Sequence, residues 1–336
     1  MDSNPHSKPT VFLVEECANP STDFFILPIL VACGYPIIRC GHNDVPECAS
    51  LRNAIVIFVR YVPSAWAKLI APCRQHLRAL IFFMDDDVLD FSSSVGMPVS
   101  YRYKLAKLAL RRRTWLRQQQ VRLWVSTPYL VEKYADWQPQ LVLPTPTAFP
   151  EHVRRIFYHG SIATHKAEIR WLRPVMEAVL AKDENAVFEI VGKKEVFELY
   201  RGLPRVTVVH TLKWPAYQTF LAIPGRHVGL NPLLDNPFNK ARSYTKFFDI
   251  TRSGAVGIYT PGCACASVVD HGQNGLLVDS DPDAWVAAIL SLTQDEDYRQ
   301  TLLRNAETTM RELTAAAQRN YTGLLDNCQE EGYGSQ

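Results

Sequence analysis

The sequence predicts an α/β chain built from two doubly wound parallel sheets, and three observations predict it. Short apolar runs alternate with segments of helical period from end to end, the pattern of βαβ units. At 336 residues the chain exceeds one ordinary core and suits two. A proline-rich stretch, Pro144 to Pro150, interrupts the pattern; its prolines disfavour helix and fit no central strand. Domains are therefore expected at 1–150 and 151–316, with a tail over 317–336 packing back on the first. Two such domains would face a central cleft, with ligands beyond the carboxyl ends of the strands.

In the first half, strands are expected at Val11–Val14, Ile37–Arg39, Ala54–Val59, Leu80–Met84, Leu123–Ser126 and Leu141–Leu143. Ser21-Thr22-Asp23 offers an N-cap for a helix through Phe24–Ala32, and Ser64–Leu77 reads as another helix. In the second half, strands are expected at Ile156–Tyr158, Val187–Val191, Val206–Val209, Val228–Leu230, Val256–Tyr259 and Leu276–Val278. Ile169, Leu172, Met176, Val179 and Leu180 give helical spacing, and Pro174 within it predicts a kink or restart. Asp281-Pro282 caps a helix, and a polar amphipathic helix follows over roughly Asp295–Leu313.

Composition is that of a globular protein, 47% hydrophobic and 21% charged. A net charge of +2 points to no nucleic-acid partner. The N-terminus lacks the charged-then-apolar pattern of a signal peptide, and no apolar run approaches the ~20 residues of a membrane span. The eight cysteines show no paired spacing, so reduced thiols and a cytoplasmic setting are expected. Cys263, Cys265 and His271 resemble half a metal site, but no second ligand pair follows, so no metal is expected.

Absent motifs prune the options. No GxGxxG follows the first strand of either half, no GxxxxGK[ST] occurs, and there is no GxSxG elbow. The informative segment is Val228 to Val278. A strand ends at Asn231-Pro232, and a polar loop, Asp235 to Asn239, leads to a helix expected to begin near Arg242-Ser243. Its first N–H groups, with Lys240, Arg242 and Lys246 nearby, would make an anion site suited to a diphosphate. Asp249, one turn past Lys246, would accept hydrogen bonds from ribose hydroxyls. An ordinary helix with solvated Lys and Arg would show the same residues.

This arrangement resembles the C-terminal domain of group-1 (family 4-like) glycosyltransferases of GT-B fold. The resemblance rests on Asp249 followed by Ser253-Gly254-Ala255 and a strand, then Val268 to Val278, and then the Asp281 to Trp285 helix start. Asp297 to Ala306 matches the closing helix, so the likeness covers roughly 155–310. Gly160 followed six residues later by Lys166 is similar to the family's phosphate-binding pair, with Ser161 and His165 beside it. It implies two Rossmann-like domains and a nucleotide-sugar donor held by Gly160, Ser161, His165, Lys166, Asn239, Lys240, Arg242, Ser243, Lys246 and Asp249. Lys166 would neutralise the leaving diphosphate. The retaining pattern puts an acid eight residues before Asp249, where Ala241 stands; Asp235 or Asn239 are the substitutes at hand. Many members also carry Arg at the position of Ser161.

The first half is less informative. Asp85-Asp86-Asp87 closes a buried strand, and three crowded acids raise one another's pKa values, as a base taking the acceptor's proton requires. A solvated cap for the next helix is the alternative. Tyr101 to Arg122 holds eight Lys/Arg and no acid. A stripe of Tyr101, Leu105, Leu108, Trp115 and Leu116 with basic borders suits an interfacial helix on anionic lipid, or an ordinary core-packed helix. The reading is a metal-independent hexosyltransferase without cofactor, moving a sugar from a nucleotide-sugar to a glycan or lipid-linked acceptor, cytoplasmic or peripheral at the membrane. A silent binding protein and a sugar-nucleotide epimerase are the alternatives.

Overall fold

The structure is a computed structural model that describes residues 8–146, 152–160, 164–234 and 237–321. By contact the chain divides into Met1–Phe149 and Pro150–Gln336. Each unit carries one six-stranded sheet in which every pair of neighbours is parallel.

The first sheet comprises β1 (Val11–Val14), β2 (Ile37–Cys40), β3 (Ile55–Val59), β4 (Ala79–Met84), β5 (Arg122–Val125) and β6 (Gln140–Leu141). Their order is β2-β1-β3-β4-β5-β6, so the winding direction reverses between β1 and β3. β1 and β4 are buried along their whole length, which is why both read as unbroken apolar runs instead of alternating ones.

The second sheet comprises β7 (Arg154–Tyr158), β8 (Ala186–Val191), β9 (Val206–Val209), β10 (Val228–Asn231), β11 (Val256–Tyr259) and β12 (Leu276–Leu277). The order β12-β11-β10-β7-β8-β9 places its reversal between β7 and β10. The strands expected from sequence are all present, displaced by at most two residues at an end. Two doubly wound α/β sheets are thus the architecture.

The helices depart from expectation at particular points. Ser21 makes no side-chain cap; its hydroxyl donates to Asp85 instead (2.6 Å), and a π-helical turn over Thr22–Ile26 precedes the helix Leu27–Ala32. Pro174 does not end its helix, which runs through from Lys166–Lys182. The last helix extends to Arg319, into the stretch expected to be a tail; 322–336 lie outside the described residues. The basic segment is not one interfacial helix. It is broken at Ala109 into Val99–Leu108, a 3-10 turn and Arg113–Gln118. Leu105 and Leu116 are buried in the unit's own core, and Tyr101, Leu108 and Trp115 pack against it, so the stripe is not a lipid face. No helix among the described residues is long and apolar enough to cross a membrane.

The cysteine expectation also needs correction. Cys48 and Cys73 form a disulfide with Cα atoms 6.0 Å apart. Twenty-five residues separate the two, which is why no spacing rule reveals the pair. Among the described residues no group of three or more His, Cys, Asp or Glu could hold a metal. His271 instead accepts the Leu277 amide on Nδ1 (3.0 Å).

Candidate functional site

β7 ends in Tyr158, and the chain then delivers His159 and Gly160 at the reversal point of the second sheet. On the other side of that point, β10 leads through a loop to the helix Thr245–Arg252, which carries Lys246 and Asp249. This helix lies close over β10. A Cβ on Gly229 would come within 2.6 Å of the buried Ile250 side chain, so only glycine admits the approach. Gly160 is similarly constrained: a Cβ there would stand 2.7 Å from the Tyr158 hydroxyl.

A cavity of about 420 Å³ opens between these elements, and Gly160, Lys246 and Asp249 line it together. Lys246 Nζ donates to the His159 carbonyl oxygen (2.6 Å) and lies 3.6 Å from an Asp249 carboxylate oxygen one turn on. Burial pushes the Lys246 pKa down, with Asp249 opposing. A lysine in the first turn of a helix is electrostatically disfavoured. Its retention there, half-buried, is what an anion site requires.

The opposite wall was not foreseen from sequence. Thr211, Leu212, Trp214 and Tyr217 complete the cavity. Trp214 and Tyr217 have ring centroids 5.9 Å apart at 32°, and Trp214 is 60% exposed, an unusual position for so large an apolar surface. Behind them lies a buried network. His159 Nε2 is 3.0 Å from Glu189, whose carboxylate also accepts from Arg226 Nε (2.7 Å). Arg226 donates further to the carbonyl oxygens of Phe220, Leu221 and Ile223, and its guanidinium stacks 4.4 Å from the Phe220 ring. The ionised Glu189 can only accept, so His159 Nε2–H is the donor, and the Tyr217 hydroxyl approaches Nδ1 at 3.4 Å. Burial lowers the His159 pKa, Glu189 only partly offsetting it, so the ring is neutral. One signal was available for this network: Glu189 interrupts the otherwise apolar run of β8.

The other expected donor residues gather elsewhere. Asn239 and Lys240 line a second cavity of about 360 Å³ with Thr260, Gly262, Cys263 and Asp279. Asn239 Nδ2 donates to the buried Glu168 (2.9 Å), and Arg242 Nε donates to Asn239 Oδ1 (3.1 Å). His165 is buried beside Glu168 and Tyr158, and burial with the nearby Arg242 charge lowers its pKa to about 4. Lys166 starts its helix but lines a third cavity, of about 370 Å³, with Arg170 and Glu195. It is not among the residues that line the Lys246 cavity. Arg242 and Ser243 precede the Thr245 helix instead of opening it, and Tyr244 between them and the helix is its N-cap. Ser161 and Asp235 lie outside the described residues.

The Asp85 to Asp87 cluster follows β4 and does not stand free in solvent. The three acids are tied into ion pairs and hydrogen bonds, with Arg60 shared between Asp85 and Asp86. Asp85 accepts from Ser21 and lies 3.5 Å from Arg60 Nε. Asp86 accepts from Arg60 Nη2 (2.7 Å). Asp87 accepts from Ser93, Lys133 and the Tyr134 hydroxyl. Lys133 also binds Asp90, and together with Ser92 holds that carboxyl down at about 2.

Residues 153–295 match the family model for Glycosyl transferases group 1. Similar solved structures include sucrose-phosphate synthase from Thermosynechococcus elongatus, at 14% identity and TM-score 0.43, with 97% of this chain and 100% of that one covered. Another is HepE from Anabaena in complex with UDP-glucose, at 12% identity and TM-score 0.41, with 94% and 99% covered. A third is a glycosyltransferase from Rickettsia africae, at 11% identity and TM-score 0.39, with 98% and 100% covered. No curated protein matches the chain's sequence. The match to the group-1 glycosyl transferase model spans the sheet and the lined cavity of the second unit.

Proposed function

We propose that the chain transfers a hexose from a nucleotide-sugar to an acceptor hydroxyl, and that the His159–Lys246–Asp249 cavity holds the donor. The single observation carrying this is the convergence of Gly160, Lys246 and Asp249 on one cavity at the reversal point of the sheet. In this reading the base lies against Trp214 and Tyr217, Asp249 accepts the ribose hydroxyls, and the diphosphate meets Lys246 and the N–H groups at the helix start. As the glycosidic bond to phosphate breaks, negative charge accumulates on the departing diphosphate. Lys246 is already in place and needs no reorganisation, so it favours the transition state over the bound donor. His159 acts through its carbonyl oxygen: held by Glu189 and Tyr217, it fixes where Lys246 points.

That division of labour needs no divalent ion, and turnover is expected to survive EDTA. The acceptor is a glycan, lipid-linked in surface polysaccharide or glycolipid synthesis. The exposed cations Lys107, Arg111, Arg113 and Arg122, with the exposed Val99 and Tyr103, suit an anionic membrane surface. Co-sedimentation with vesicles containing phosphatidylglycerol, absent with neutral vesicles, tests that part. Slow hydrolysis of a nucleotide-sugar without acceptor, abolished in Lys246→Ala, tests the donor site; its absence with every nucleotide-sugar tried would favour a silent binder.

A further inference from the structure

Donor binding uses the reversal point of the second sheet. The first sheet has one of its own, between β1 and β3, and there the chain places groups that donor binding does not need. A cavity of about 200 Å³ opens at that point, lined among others by Glu16, Arg60, Tyr61, Tyr101 and Lys104.

Two cations face it from separate elements. Arg60 follows β3 directly at φ 65, the left-handed region that side chains with a Cβ avoid, so the fold holds an arginine where glycine would be easier. Its Nη2 donates to Asp86 (2.7 Å) and to the Tyr101 hydroxyl (3.0 Å), and among the described residues Nη1 has no partner. Burial works against the Arg60 charge, but Asp85 and Asp86 outweigh it and keep the guanidinium protonated. Lys104, from the helix Val99–Leu108, pairs with Glu16 and stands 4.8 Å from the Tyr61 ring centroid.

The exposures of these groups differ in a telling way. Side chains of Glu16 and Asp86 are 49% and 65% exposed, whereas those of Lys104 and Arg60 are 33% and 23% exposed. Glu16 and Asp86 can therefore swing into water while the cations stay; Asp85, 21% exposed and held by Ser21, remains beside Arg60 Nε. Two retained cations, an unpartnered guanidinium nitrogen and two phenol rings make a site for a ring with an anionic substituent.

We propose that this cavity is the acceptor pocket and that it takes a sugar end-group bearing a carboxylate or phosphate. The anion is taken by Arg60 and Lys104, and the ring lies against Tyr61 and Tyr101. Naming it an acceptor pocket rests on the transferase reading; anionic-sugar binding does not.

The test is calorimetric titration of the full chain with D-glucuronate, D-glucose 6-phosphate and D-glucose. It is run on wild type, Arg60→Gly and Lys104→Gln. Glycine adopts the Arg60 backbone conformation freely, so the first variant removes the guanidinium without straining the turn. At least one anionic sugar is expected to bind about tenfold more tightly than glucose, and each variant to remove that preference. The better of the two anionic sugars tells carboxylate from phosphate. Equal binding of all three sugars, no binding of any of them, or a preference that survives in Lys104→Gln overturns the proposal. Nucleoside diphosphate binding in the same samples reports separately on the second unit. Its absence from wild type with the sugar preference intact would sink the transferase reading and leave the pocket standing.

Discussion

At the scale of single residues, the second unit rests on a few charges placed where solvent screens them little. Lys246 is the sharpest case, a first-turn cation whose cost to the helix is justified by an anion it can meet. Lys246→Ala is expected to cut turnover by about tenfold or more while the melting temperature holds within a few degrees. Lys166→Ala, in its separate cavity, should leave donor binding near normal; steady-state kinetics on both variants checks the contrast. Arg226 has the opposite character, since it serves the fold. It is 2% exposed and its partner Glu189 is 6% exposed, so Arg226→Met leaves a buried carboxylate with only His159 and, at 3.7 Å, Arg155. Urea unfolding is expected to show a loss of about 3–5 kcal/mol. A loss below about 1 kcal/mol would mean that the network contributes little to stability.

At the scale of elements, the Thr245–Arg252 helix owes its position to Gly229. Gly229→Ala forces a methyl against Ile250 and is expected to destabilise the unit by about 1–3 kcal/mol and to weaken nucleotide binding together with it. Thermal melts with and without nucleotide would show both effects. The same element marks the limit of what sequence reveals. The twelve strands among the described residues were legible; burial on both faces writes an apolar run into β1, β4, β10 and β11, whereas β2 and β9 are only partly buried and β6 is exposed. Lys246 and Asp249 were legible too, since their spacing lies within one turn. The start of their helix was not, because the N-cap is Tyr244, whose side chain makes no capping hydrogen bond and so leaves no cap signal in the sequence. Nor were the partners of Asp85 to Asp87, which come from Ser21, Arg60, Lys133 and Tyr134, distant in sequence. The aromatic wall of Trp214 and Tyr217 reaches the site only through the sheet order, which places β7 beside β10 and β8.

At the scale of the whole molecule, acid and oxidation state are the levers. Burial, aided by nearby cations, lowers the pKa of both His165 and His227 to about 4, and burial lowers that of His159 as well. Unfolding frees each to bind a proton near its ordinary value, so the unfolded chain takes up more protons between about pH 6.5 and pH 4. Stability is therefore full above that window and is lost as pH falls through it. Melting temperature should decline from about pH 7 to about pH 5, less steeply in His165→Gln; a flat profile would contradict the buried neutral rings. Cys48 and Cys73 are expected to resist alkylation in denaturant until a reductant is added, and mass spectrometry of the labelled peptides reads this directly. The central claim, that the cavity of Lys246 and Asp249 holds a nucleoside diphosphate, is tested most directly by a thermal-shift screen. Wild type and Lys246→Ala are compared against UDP, GDP, ADP, CMP and dTDP, with and without magnesium. The account predicts a rise in melting temperature with one nucleotide, independent of magnesium and absent in the variant. A rise that persists in Lys246→Ala, or none with any nucleotide, would contradict it.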